Sequence, residues 1–142
     1  MMINAIIIGS NAVVEGVLKQ QADITTTVIH SSSLDDVVEQ VRQYHPDIFI
    51  LKHEAGELNG DILCHFLSRH YPVAQSLILV EHEPTFGMLK NSGFKARGYI
   101  SKEQLIEIDK AVRAVYSGEA WLPRKLVSEM LDRFEMYNEN TN

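Results

Sequence analysis

Two hydrophobic periods alternate along this chain. Residues 3–8 (INAIII) form a β-branched run closed by Gly9 and Ser10, which predicts a buried strand. Val13, Val14, Val17 and Leu18 then recur at helical spacing. Residues 24–30 (ITTTVIH) predict a second strand. Ser33 with Asp36 predicts a capped helix start, and Leu34, Val37, Val38 and Val41 line one face of that helix. Pro46 ends it, and residues 48–51 (IFIL) predict a third buried strand. A Gly-containing loop over 55–60 leads into a helix carrying Ile62, Leu63, Phe66 and Leu67. Residues 77–80 (LILV) predict the fourth strand. Pro84 suits the first turn of a short helix ending near Gly93, and residues 98–100 (GYI) predict a fifth strand. Ser101 and Gln104 can box the start of a helix with Leu105, Ile108, Val112 and Val115, stopped by Gly118. Pro123 opens a last amphipathic segment with Leu126, Val127, Met130, Leu131 and Phe134.

The order is strand then helix, five times over, plus one further helix. Such alternation predicts an α/β fold: a five-stranded parallel sheet, doubly wound, with helices on both faces. The apolar strands are continuous rather than alternating, as expected when both faces are covered. Function in such sheets sits at the carboxyl ends of the strands. Those ends are Gly9-Ser10, Lys52-His53, Glu81-His82 and Ser101-Lys102.

Composition narrows the function classes. At 142 residues, with 45% apolar and 23% charged side chains, the chain is an ordinary globular domain rather than a disordered one. The lone Cys64 excludes an internal disulfide and a multi-thiolate zinc site, and fits a reducing compartment. The N-terminus lacks signal-peptide character and no apolar run is long enough to span a membrane, so a cytoplasmic location is expected. A net charge of −6 gives no favourable field for a phosphate backbone. Any DNA contact is therefore expected to come from a segment absent from this chain.

The strand ends and their flanks resemble the receiver domain of bacterial two-component response regulators, over about residues 3–117. The residues that carry this are His45-Pro46-Asp47-Ile48-Phe49-Ile50-Leu51, the Leu58-Asn59-Gly60 turn, and Gly98-Tyr99-Ile100-Ser101-Lys102. The stretch Gly118-Glu119-Ala120-Trp121-Leu122-Pro123-Arg124 makes the NarL/LuxR type the nearest variety. The resemblance implies a flavodoxin- or CheY-like sheet order. It divides the chain into a receiver-like domain, 1–118, and a linker helix and tail, 119–142, leading towards a helix-turn-helix not present here.

Family receivers accept a phosphoryl group on an Asp at the end of the third strand. Two acidic residues after the first strand hold Mg²⁺. A Thr or Ser after the fourth strand and a Lys after the fifth bind the phosphoryl oxygens. Carried over position by position, the acidic pair falls on Gly9 and Ser10, the phosphoacceptor on Lys52, and the Thr/Ser on Glu81. Only the Lys remains, as Lys102, with the switch aromatic at Tyr99. Mg²⁺ wants carboxylate and water oxygens, and an ammonium cannot become an acyl phosphate. Aspartyl phosphorylation at the usual position is thus excluded, and no metal or cofactor is expected. Lys52 and Glu81, on adjacent strands, are expected either to pair or to be solvated at the rim.

Other features read more plainly. His53, His65, His70 and His82 suggest scattered surface histidines, since His65 and His70 do not share a helix face. Cys64 suggests a packing residue. Tyr99 suggests static packing once no phosphoryl event moves it. The fourth helix, fifth strand and fifth helix are the default partner face by resemblance. Trp121-Leu122-Pro123-Arg124 is similar to the W-[FLM]-[ST]-R motif with which some biofilm regulators bind cyclic di-GMP, with Arg124 as the guanine and phosphate contact. Pro123 departs from it, and the segment can equally be a packed Trp121 followed by a helix start.

The expected function is a non-enzymatic, phosphorylation-independent receiver-like module that homodimerises within a transcription regulator. A cyclic di-GMP sensor and a freestanding protein-interaction adaptor are the alternatives. An enzyme would have to use Lys52, Glu81 and Lys102.

Overall fold

In the computed structural model, residues 1–55 and 58–141 are described. Five parallel strands form the central sheet: β1 (Ile3–Ile8), β2 (Ile24–Ile29), β3 (Ile48–Lys52), β6 (Gln75–Val80) and β7 (Ala96–Ser101). Their order is β2-β1-β3-β6-β7, which is the flavodoxin-like winding expected. Helices α1 (Ala12–Lys19), α2 (Leu34–Val41), α3 (Gly60–His70), α4 (Phe86–Asn91) and α5 (Ile108–Tyr116) connect and cover it, and α6 (Arg124–Thr141) follows.

Each strand feeds two cores, because successive side chains point to opposite faces. In β3, Phe49 and Leu51 join Val37, Val41, Leu63 and Leu67 on one face. Ile48 and Ile50 join Val14, Leu18, Val112 and Val115 on the other. All eight of those partners are buried valines and leucines from the helical stripes read in the sequence. Each contributes roughly 1.5–3 kcal/mol by leaving water.

Local chemistry sets most boundaries as expected. The Ser33 hydroxyl accepts from the Asp36 amide at 3.2 Å, and Asn59 Oδ1 accepts from the amides of Asp61 and Ile62. Three details differ from the sequence expectation. Pro84 lies before α4 rather than in its first turn, because Thr85 takes the capping position and accepts from the Met88 amide at 3.2 Å. Ser101 and Gln104 do pair at the next start, but the first turn is 3₁₀ over Lys102–Glu107 before α5 begins. The stretch expected as a loop over 55–60 takes part instead in a small antiparallel pair, β4 (Glu54–Ala55) with β5 (Leu58–Asn59). Gly56 and Glu57 of that loop lie outside the described residues.

Gly118 ends α5 in the left-handed conformation, φ 97°, where a side chain would be strained. Its amide donates to Val115 O and that of Glu119 to Ala114 O, the reciprocal pattern of a Schellman close. The chain then returns to the edge of β7. Trp121 donates its amide to Arg97 O at 2.9 Å and accepts from the Tyr99 amide at 3.0 Å. From there α6 lies against α4, with Leu126 buried and Leu122 and Met130 partly so. Arg133 sits over the Phe86 ring at 5.2 Å and Lys125 reaches Glu83 at 3.4 Å. The helix continues through the polar residues of the tail to Thr141, while Val127, Leu131, Phe134 and Met136 stay exposed.

Candidate functional site

The carboxyl edge of the sheet carries a cleft of about 220 Å³. Its wall includes Asn11 from the α1 cap, Lys52 at the end of β3, Glu54, Glu81 just beyond β6, and Lys102 just beyond β7. Parallel register brings these together: Lys52 is opposite Leu79, and Val80 is opposite Ser101. Three of the residues singled out from the sequence, Lys52, Glu81 and Lys102, thus share one cleft. Gly9 is also adjacent. A Cβ placed on it would lie 3.7 Å from Lys52 Cδ and 3.8 Å from Cε. Ser10 is exposed and does not line the cleft; Asn11 does.

The cleft holds two ammonium and two carboxylate groups, Lys52 and Lys102 against Glu54 and Glu81. The ion pairs of the described residues do not include one between Lys52 and Glu81. The arrangement does not suit Mg²⁺. The Lys52 stem runs beside Gly9, and the local charge sums to zero rather than to the excess of carboxylates a hard divalent cation needs. Among the described residues no group of three or more His, Cys, Asp or Glu is placed to hold a metal ion.

Just below the cleft runs a polar chain that sequence reasoning missed. Asp61, in the first turn of α3, is 0% exposed. Its Oδ1 accepts from the Tyr99 hydroxyl at 2.9 Å, and its Oδ2 lies 2.6 Å from His53 Nδ1. A hydrogen bond at this distance needs one proton between the two atoms, carried by the imidazole Nδ1 when the carboxyl is a carboxylate, which only accepts. His53 is therefore not one of the scattered surface histidines expected: it spans from the strand end to a buried carboxylate. The sequence held one local hint, an acid just after the Asn59 cap, where the helix dipole favours it. Its link to Tyr99 crosses 38 residues and is invisible in any local pattern.

Tyr99 itself is 1% exposed. Burial raises its phenol well above the usual range, and the Asp61 charge adds to this. Cys64 is buried on the same helix, as expected, and burial pushes its thiol up to about 11. Both shifts keep neutral, non-nucleophilic groups in this layer. The Cys64 shift also has a sign for stability. A folded-state value raised from 9.0 to about 11 gives a contribution fully present below pH 9 and lost as the pH rises to about 11. In urea unfolding, Cys64→Ala is expected to flatten the decline across that window; an unchanged slope would show that the thiol does not contribute.

The two residues of the possible dinucleotide motif are separated in role. Trp121 is half-buried and gives its backbone to the sheet edge, while Arg124 is exposed at the start of α6.

Comparison with known proteins shows what the chain is similar to. No protein-family model matches the chain. It is 32% identical over 127 residues to the oxygen regulatory protein NreC of Staphylococcus epidermidis, covering 83% of this chain and 55% of that protein. Among solved structures, a LuxR-family two-component response regulator from Aurantimonas sp. SI85-9A1 superposes with a TM-score of 0.74 at 17% identity, over 94% of this chain and 98% of that one. The isolated REC domain of RcsB from Salmonella enterica serovar Typhimurium in its apo form gives 0.73 at 18% identity, over 92% and 98%. The chain has the response-regulator receiver fold. In sequence it is similar to the NreC regulators, and in fold to LuxR-family and NarL receiver domains. The chain spans about half the length of the curated relatives it matches.

Proposed function

We propose that this chain is a phosphorylation-independent receiver-like module that dimerises and thereby sets the geometry of a DNA-binding output in a cytoplasmic transcription regulator. In this reading residues 1–118 are the regulatory domain, and 119–142 transmit its state. The observation that carries the proposal is Lys52, an ammonium at the end of β3 whose stem fills the space beside Gly9. Gly9, Ser10, Lys52, Glu81 and Lys102 are then the remains of a phosphoacceptor pocket, and the role is signalling rather than catalysis. Two further observations support it. Tyr99, the position of the switch aromatic, is buried and hydrogen-bonded to Asp61, so one state is favoured without a phosphoryl group. No helix among the described residues is long and apolar enough to cross a membrane.

Sedimentation equilibrium tests the dimerisation. The expected result is a mass that rises with protein concentration and is indifferent to acetyl phosphate with Mg²⁺. A mass that stays monomeric throughout, or that doubles only when the phosphodonor is added, would sink this reading.

A further inference from the structure

Two clefts on the α6 side of the sheet share a wall and differ in chemistry. One, of about 290 Å³, is apolar and lies between β7 and α6, with Leu89, Ala96, Leu122, Met130 and Phe134 in its lining. The other, of about 230 Å³, is polar, lined by Ser68, Gln75 and Ser76 together with Lys95 and Arg97. Phe94 and Arg97 line both. No acidic side chain lines either one, although the whole chain carries −6.

The cations of this corner lack carboxylate partners among the described residues. Neither Lys95 nor Arg97 belongs to an ion pair among the described residues. Arg97 donates one guanidinium N–H to Gly118 O at 3.0 Å, but its Nε–H is buried with no acceptor. A buried donor left unsatisfied is uncommon in a folded domain and calls for an acceptor. The carbonyl end of α3 lies close by and opposes an anion. That partial charge amounts to roughly half an elementary charge, against two full positive charges.

We propose that these neighbouring clefts bind a single-chain amphipathic anion, with its anionic head at Lys95 and Arg97 and its hydrocarbon tail along the apolar cleft under α6. Charge complementarity fixes the head and the apolar lining fixes the tail. Because Leu122, Met130 and Phe134 come from the segment that forms α6, an occupant would tie that helix to β7. It would bias the helix's position only as far as it binds the docked state more tightly than the released one. The proposal stands apart from the reading of Lys52 and does not depend on it.

Isothermal titration calorimetry of the full chain with octanoate is the test. Saturable binding of one octanoate per chain is expected. Butyrate, which keeps only the head, and 1-octanol, which keeps only the tail, should each bind at least about tenfold more weakly. Lys95→Met should weaken octanoate at least about fivefold and leave 1-octanol unchanged, since the charged hydrogen bond goes and the apolar contacts stay. Phe134→Asp, at an exposed position, should weaken both octanoate and 1-octanol. Absence of saturable octanoate binding, equal affinity for 1-octanol, or a Lys95→Met variant that binds octanoate like the parent would each overturn the proposal.

Discussion

Gly60→Ala is expected to cost about 3 kcal/mol of stability, at the upper end of ordinary single substitutions. A Cβ at this position would collide with the carbonyl oxygen of Lys52, and would lie 2.7 Å from the Lys52 carbonyl carbon and 3.0 Å from His53 N. All three are main-chain atoms and cannot swing aside as a side chain could. Relief requires the start of α3 to withdraw from the end of β3. That would also stretch the bond from the Gly60 amide to His53 O, now 3.1 Å. Because the clash falls on the backbone of Lys52 and His53, it disturbs the cleft and the buried polar chain together. Urea unfolding checks it: a lower midpoint with an unchanged slope is expected. A loss below about 0.5 kcal/mol, the range of ordinary surface changes, would mean the close approach is not maintained in solution.

Asp61→Ala should be comparably severe, about 3 kcal/mol, because it leaves the buried Tyr99 hydroxyl without its acceptor and His53 without its partner. Tyr99→Phe alone should cost about 1–2 kcal/mol, since Asp61 then keeps only the bond from His53. The two changes should not add. Once the carboxylate is gone, removing the hydroxyl relieves an unsatisfied polar group, so the cost of the double variant should fall short of the sum of the singles by on the order of 1–2 kcal/mol. Strict additivity in a double-mutant cycle would show that the 2.9 Å contact carries no energy.

How much of this was legible in the sequence follows from the range of each interaction. The β-branched runs at 3–8, 48–51 and 77–80 gave their strands directly, because a strand buried on both faces is written as a continuous apolar run. The stop at Gly118 was equally local, whereas α2 ends at Val41 with Arg42 as its cap and does not run on to Pro46. The edges of short elements were less visible. Thr85 rather than Pro84 begins α4, since a hydroxyl that satisfies the Met88 amide outweighs a residue that merely tolerates a helix start. Lys52, Glu81 and Lys102 were placed in one cleft from strand ends alone, because parallel register converts equal position along strands into proximity. Whether Lys52 and Glu81 meet depends on rotamers of long side chains, which no pattern encodes. Asp61 was missed because helical spacing made Ile62 and Phe66 look like the inward face. In the fold Ile62 is 53% exposed and the acid beside it is the buried residue, held there by His53 eight residues before it and Tyr99 38 residues after it.

One measurement addresses most directly whether the strand ends have lost phosphoryl chemistry. Intact-protein mass spectrometry after incubation with acetyl phosphate and Mg²⁺ should return the mass of the untreated chain, because β3 ends on an ammonium, Lys52, and Gly9 and Ser10 offer no carboxylate for the metal. A gain of one phosphoryl group, removable by hydroxylamine and so carried on a carboxylate, would contradict it.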